Sequence, residues 1–309
     1  MSIDKLKLIF KNAPKYEAWS IQLLHISTSK RNGTTYLGRE IELKPTGKLS
    51  QFISEISNRY ANETRGVLLF FTDVLEYDAS VVGNVIYKMS TDNFLVKEEY
   101  EALISALSSP DYEMNPMELS TQAYVLKGMV TVNDTKYPVK FISMQNPFTT
   151  LKNKFMQSNG SFEEIKNKVL SLKTSIDVII IDNVIYMLTF AAEKLFNMER
   201  AYKAICVQKI EEIKACDILL DNDIFSNIAS KGHNPRRFVS FNEKRLEKLK
   251  NNDNRQQMAK KFNIPLVSGK FDTSQEGTVE KIVKLLCNKG MLDPFDDIPV
   301  EVAGAKKWS

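Results

Sequence analysis

Apolar and polar positions along the first half of the chain change period repeatedly. Trp19, Ile21 and Leu23 alternate with Ser20, Gln22 and Leu24, which predicts a half-buried strand. Tyr36–Leu43 is its partner across an Arg31-Asn32-Gly33 turn. Leu49, Phe52, Ile53, Ile56 and Tyr60 recur at helical spacing, and Val67–Phe71 is a short buried strand. Tyr100, Leu103, Ile104 and Leu107 mark a second helix that Pro110 ends. Tyr124–Val132 and Tyr137–Met144 flank Asn133-Asp134 as a hairpin. Asn-Val-Ile-Tyr occurs twice, at 84–87 and 183–186, which suits two strands that each start after an Asn turn.

From Pro147 the pattern reads as helical and basic. Ser161 with Glu164 has the spacing of a capping box ahead of Ile165, Val169 and Leu172. Two β-branched runs, Val178–Ile181 and Val184–Leu188, then flank Asp182-Asn183 as a central hairpin. Leu195, Met198, Tyr202, Ile205 and Ile213 follow as an apolar stripe, interrupted by Lys209. This predicts an amphipathic helix of about 25 residues, about 38 Å long. The stripe must be buried, and an isologous homodimer is one way to bury it. Later helices are expected over Asp221–Ser230, Asn242–Lys250 and Asn254–Phe262, with a last one capped by Ser274. Ile264–Val267 reads as a strand, and the tail after Gly290 as extended. The fold class is α+β. A mixed domain over 1–155 precedes a helix-rich domain over 156–309 that carries the central hairpin and the long helix.

The run DVIIIDNVIYMLTFAAEKLFNME, residues 177–199, resembles the core signature of the KwaB family of the Kiwa bacterial anti-phage system. Weaker agreement extends from about Tyr124 to the C-terminus, including Asn146-Pro147 and the closing Ala303-Gly304-Ala305-Lys306-Lys307. The resemblance implies a DNA-binding subunit that acts with an integral membrane partner, KwaA. It would block phage DNA replication or expression from the cytoplasm, peripherally at the inner membrane, and it adds to the case for a homodimer. No catalytic residue is carried over.

Composition narrows the chemistry. The 309 residues are 43% hydrophobic and 26% charged, ordinary for a globular protein. No secretory leader is read at Met1–Lys11, and Asp182-Asn183 breaks the longest apolar run. Three cysteines without C-x-x-C spacing suit reduced thiols. With only His25 and His233, most histidine-based metal sites are excluded. No G-x-x-x-x-G-K-[ST], G-x-G-x-x-G or G-x-S-x-G occurs, so no cofactor cradle or serine hydrolase elbow is encoded. Asp177, Asp182, Asp217, Asp221 and Asp223 supply carboxylates for a metal-dependent nuclease, although turn and cap chemistry accounts for them more simply. A non-catalytic scaffold for the membrane partner is the third reading.

The net charge of +4 is unevenly divided. Residues 231–261 hold ten Lys and Arg against three acids, +7, leaving −3 elsewhere. Within them Arg236, Arg237, Lys244, Arg245, Lys248, Lys260 and Lys261 are the candidate DNA-binding residues. Phe238 and Phe241 beside them read as core, and Lys152, Lys154, Lys166 and Lys168 are the next candidates.

Overall fold

The computed structural model describes residues 2–16, 18–29, 33–61, 70–73, 85–110, 121–150, 155–158, 161–164, 168–292, 296 and 298–301. The chain divides into two compact units. One comprises Met1–Phe71 and Asn84–Asn197, the other Thr72–Gly83 and Met198–Ser309.

The first unit is built on an eight-stranded sheet. In chain order its strands are β1 (Ser20–Ser29), β2 (Gly33–Ile41), β3 (Phe70–Asp73), β4 (Val85–Ser90), β5 (Thr121–Val132), β6 (Thr135–Met144), β7 (Val178–Ile181) and β8 (Val184–Met187). They lie in the order β2-β1-β5-β6-β7-β8-β4-β3. Both Asx pairs make the tight turns expected of them. Asn133 and Asp134 take φ of 49° and 59°, and Asp182 takes 52°, the left-handed region that Asx tolerates best after glycine. The two Asn-Val-Ile-Tyr copies run into neighbouring antiparallel strands, with Tyr87 opposite Met187 and Lys88 opposite Tyr186.

Alternation sends Tyr124, Leu126, Val139, Phe141, Ile179 and Ile181 to one face of the sheet. Helices α1 (Ile3–Asn12) and α2 (Lys48–Ala61) cover it. Ser2 caps α1 by accepting from the Lys5 amide. Phe10 stacks on Tyr60 at 4.7 Å and on Phe141 at 4.9 Å, so large rings tie both helices to the sheet. On the other face, α3 (Lys97–Ser108) lies along β2 with Leu103 and Leu107 buried.

Four expectations are corrected. The central hairpin does not belong with the helical part: β7 pairs with β6 and β8 with β4, because β-branched strands buried on both faces need neighbours on both edges. The described residues between 155 and 170 are strands, not helix. Phe155–Ser158 pairs with Ser161–Glu164, and Phe148–Thr150 with Lys168–Leu170, so the Ser161/Glu164 spacing is no capping box. The long helix is two: α4 (Ala191–Leu195) and α5 (Met198–Lys214), broken at Asn197, whose φ is 45°. Ser274 does not cap the last helix; its amide donates to the Asp272 carboxylate, and the helix starts at Glu276.

The second unit packs α5 with α6 (Asn222–Ala229), α7 (Asn234–Arg237), α8 (Glu243–Lys250), α9 (Asn252–Lys261) and α10 (Glu276–Leu286). Ile210, Ile213, Phe225, Phe238, Leu246, Leu249, Ile282 and Val283 form its core. A short hairpin, Leu266–Val267 with Lys270–Phe271, and an antiparallel pair, Gly290–Leu292 with Pro299–Glu301, also belong to it. Met198, Tyr202, Cys206, Ile210 and Ile213 of α5 are buried within this single chain. Of the expected stripe, Leu195, Met198, Tyr202 and Ile213 are buried and Ile205 is half-buried.

Candidate nucleic-acid interface

The basic segment folds as a compact series of capped helices. The Asn242 side chain accepts from the Arg245 amide at 3.1 Å to start α8. The Asn251 side chain accepts from the Asp253 and Asn254 amides, both at 3.0 Å, to start α9. Seven of the ten positive charges of this segment fall into two sets.

Three arginines are built into the fold. Arg245 is half-buried, and its Nη1 donates to the carbonyls of Leu285 at 2.6 Å and Gly290 at 3.2 Å. That burial lowers its pKa from the ordinary arginine value. Arg255 is buried and donates to the carbonyls of Gly269, Leu249 and Lys250, locking the α8–α9 corner. Arg237 is half-buried and donates to Asn234 Oδ1 at 2.7 Å. Arg236 is intermediate in another way: its guanidinium sits 5.7 Å from the Tyr202 ring centroid and near Glu199.

Four lysines form the other set. Lys244, Lys248, Lys260 and Lys261 are exposed, and among the described residues none makes a hydrogen bond or an ion pair. On α8 the spacing separates charges by face. Glu243 and Glu247 lie one turn apart on one face, Lys244 and Lys248 one turn apart on the next. Both acids are occupied elsewhere. Glu243 accepts from Lys209 Nζ at 3.0 Å, and Glu247 pairs with Lys250 at 2.5 Å. Lys209 also holds Glu212 at 2.9 Å. Burial opposes its charge, yet the bonds to both glutamates outweigh that and raise its pKa.

Lys248 and Arg245 line an open groove of about 460 Å³ with Leu249, Met258, Phe262 and Leu285. Lys260 lies on a separate groove beside Asn263 and Lys281, so it is not gathered with Lys248 into one pocket. Phe238 is core and stacks against half-buried Phe241 at 6.2 Å between centroids, leaving no free aromatic platform there. Of the fallback lysines, Lys152, Lys154 and Lys166 lie outside the described residues, and Lys168 begins a short strand.

Three of the five candidate carboxylates have structural partners. Asp177 accepts from the Met144 amide at 2.7 Å and from the Thr189 hydroxyl, fastening β6 to the end of β8. Asp182 makes the hairpin turn, and Asp217 pairs with Lys270. Asp221 caps α6 by accepting from the Asp223 and Ile224 amides. Among the described residues no cluster of three potential metal ligands occurs.

A family model described as Kiwa protein KwaB-like matches residues 120–291, more than half of the chain. The chain belongs to this KwaB family. Membership gives it a role in Kiwa anti-phage defence. The matched KwaB segment runs from β5 to the Gly290–Leu292 strand and contains every candidate lysine and arginine. The closing Ala303–Lys307 run lies beyond it. Neither a curated protein nor a solved structure matches the chain. Among the described residues, no helix of this KwaB-family chain is long and apolar enough to cross a membrane.

Proposed function

We propose that this KwaB-family chain binds DNA through the exposed lysines of α8 and α9, acts with the integral membrane partner KwaA, and blocks phage DNA replication or expression. One observation carries the reading. The acids that could neutralise Lys244 and Lys248 are bound by Lys209 and Lys250, so the two lysines project uncompensated charge. Lysine ammonium groups are point charges that suit phosphate and read no base edges. Binding through Lys244, Lys248, Lys260 and Lys261 is therefore weakly dependent on sequence. Four phosphate contacts give a slope of log affinity against log salt of about −3.6, or about a hundredfold loss between 50 and 200 mM. Peripheral placement at the inner membrane follows from the partner. Self-association as a homodimer rests on the family resemblance.

A shift titration of unrelated duplexes at several salt concentrations tests this. Similar affinities with a steep common slope support it; no shift in 50 mM salt rejects it. The same titration with magnesium and with EDTA addresses the nuclease alternative, for which intact DNA is the expected result.

A further inference from the structure

Lys127 and Lys140 stand directly opposite each other on β5 and β6. Their neighbours Leu126, Val139 and Phe141 face the core beneath α1 and α2, so alternation puts both lysines on the other face of the sheet. Both are half-buried. Like charges directly opposite across strands destabilise a sheet. Lys127 has partial compensation: its Nζ donates to the Leu107 carbonyl at 3.1 Å, at the C-terminal end of α3, and Glu40 is the acid acting on it. Lys140 has none. Its other cross-strand neighbour is Ile180, which is buried, and among the described residues it has no hydrogen bond or ion pair. Burial and the Lys127 charge both lower its pKa from the ordinary lysine value. A surface lysine of no consequence would turn outward into water; this one is held beside a second cation against apolar neighbours.

We propose that Lys127 and Lys140 form an anion site on the sheet that takes a phosphate group. A phosphate between the two ammonium groups cancels their repulsion and supplies acceptors to donors the fold leaves unused. The site belongs to the first unit, shares no residue with the α8 and α9 set, and stands whether or not those lysines bind DNA.

The test uses the full chain, with pyrophosphate as probe in isothermal titration and a short duplex as the second ligand. Lys140→Met is expected to weaken pyrophosphate binding about tenfold or more, the loss of a charge-assisted contact. Lys140→Arg should retain binding, and Lys244→Met/Lys248→Met should leave it unchanged. The melting temperature of Lys140→Met should hold or rise as repulsion is relieved; if that variant does not fold, Lys127→Gln replaces it. A parallel loss of duplex affinity assigns the phosphate to a polynucleotide. A loss confined to pyrophosphate assigns it to a free phosphate compound. Pyrophosphate binding without any duplex binding leaves this site standing and removes the DNA reading. Absence of pyrophosphate binding in the wild type, or wild-type affinity for both ligands in a folded Lys140→Met protein, overturns the proposal.

Discussion

Replacing Arg245 with Met separates charge that builds the fold from charge that is free to act. Methionine keeps the apolar stem and removes the guanidinium. The Leu285 carbonyl then loses a donor at 2.6 Å and the Gly290 carbonyl a longer one at 3.2 Å. Hydrogen bonds to charged groups contribute about 1.5–3 kcal/mol each, and the longer contact contributes less. Arg245 is half-buried, so water replaces part of what is lost. The expected cost is about 2–4 kcal/mol, or roughly 10 °C in melting temperature for a unit of this size. Lys244→Met on the same helix should cost within about 0.5 kcal/mol. Far-UV circular dichroism is the assay, because α8 and the elements it packs with are largely helical. Equal melting curves for the two variants would refute the division of the cations into built-in and free sets. The consequence is practical: charge reversal at Arg237 or Arg245 tests folding before it tests DNA binding.

Other expectations follow from the same geometry. Asp177→Ala should destabilise the first unit by about 2–3 kcal/mol in a denaturant titration, since it orphans the Met144 amide and the Thr189 hydroxyl. Asn197→Val should cost about 1–2 kcal/mol and Asn197→Gly almost nothing, by the same assay, because φ there is 45°. Burial raises the Cys206 thiol to about 11, above its ordinary unfolded value. Its contribution to stability is therefore complete below the ordinary thiol range and is lost as pH rises through about 11. The fall in denaturation midpoint between pH 8 and pH 10.5 should be smaller in Cys206→Ser.

Most strands and helices between Trp19 and Met144 were legible because they had a clean period and an Asx or proline stop, whereas α1 over Ile3–Asn12 was not read from the sequence. Trp19, Tyr124 and Tyr137 began alternating runs that became β1, β5 and β6, and Pro110 closed α3. The stretch after Pro147 was misread because one plausible cap, Ser161 with Glu164, outweighed the Asn159-Gly160 pair, a stronger hairpin signal. Asn197 gave no warning within a helical period, since Asn is tolerated in helices as well as in the left-handed region. The basic helices were located within two residues at each end, their Asn caps being local signals. Which cations would be free was not legible. Arg245 and Lys244 are adjacent and carry the same charge; the carbonyls of Leu285 and Gly290, some 40 residues on, are what hold Arg245 in the fold. One clue did exist. Lys209 breaks the apolar stripe of α5, and it is the residue that draws Glu243 away from the lysines of α8.

The DNA reading is tested most directly by the salt dependence of duplex affinity in Lys244→Glu/Lys248→Glu, compared with the wild type. Neither lysine has a partner to lose among the described residues, so the variant should fold with an unchanged melting curve. The account predicts weaker binding to every duplex alike and a slope of log affinity against log salt shallower by about two, one for each phosphate contact removed. A folded variant with wild-type affinity and wild-type slope would contradict it.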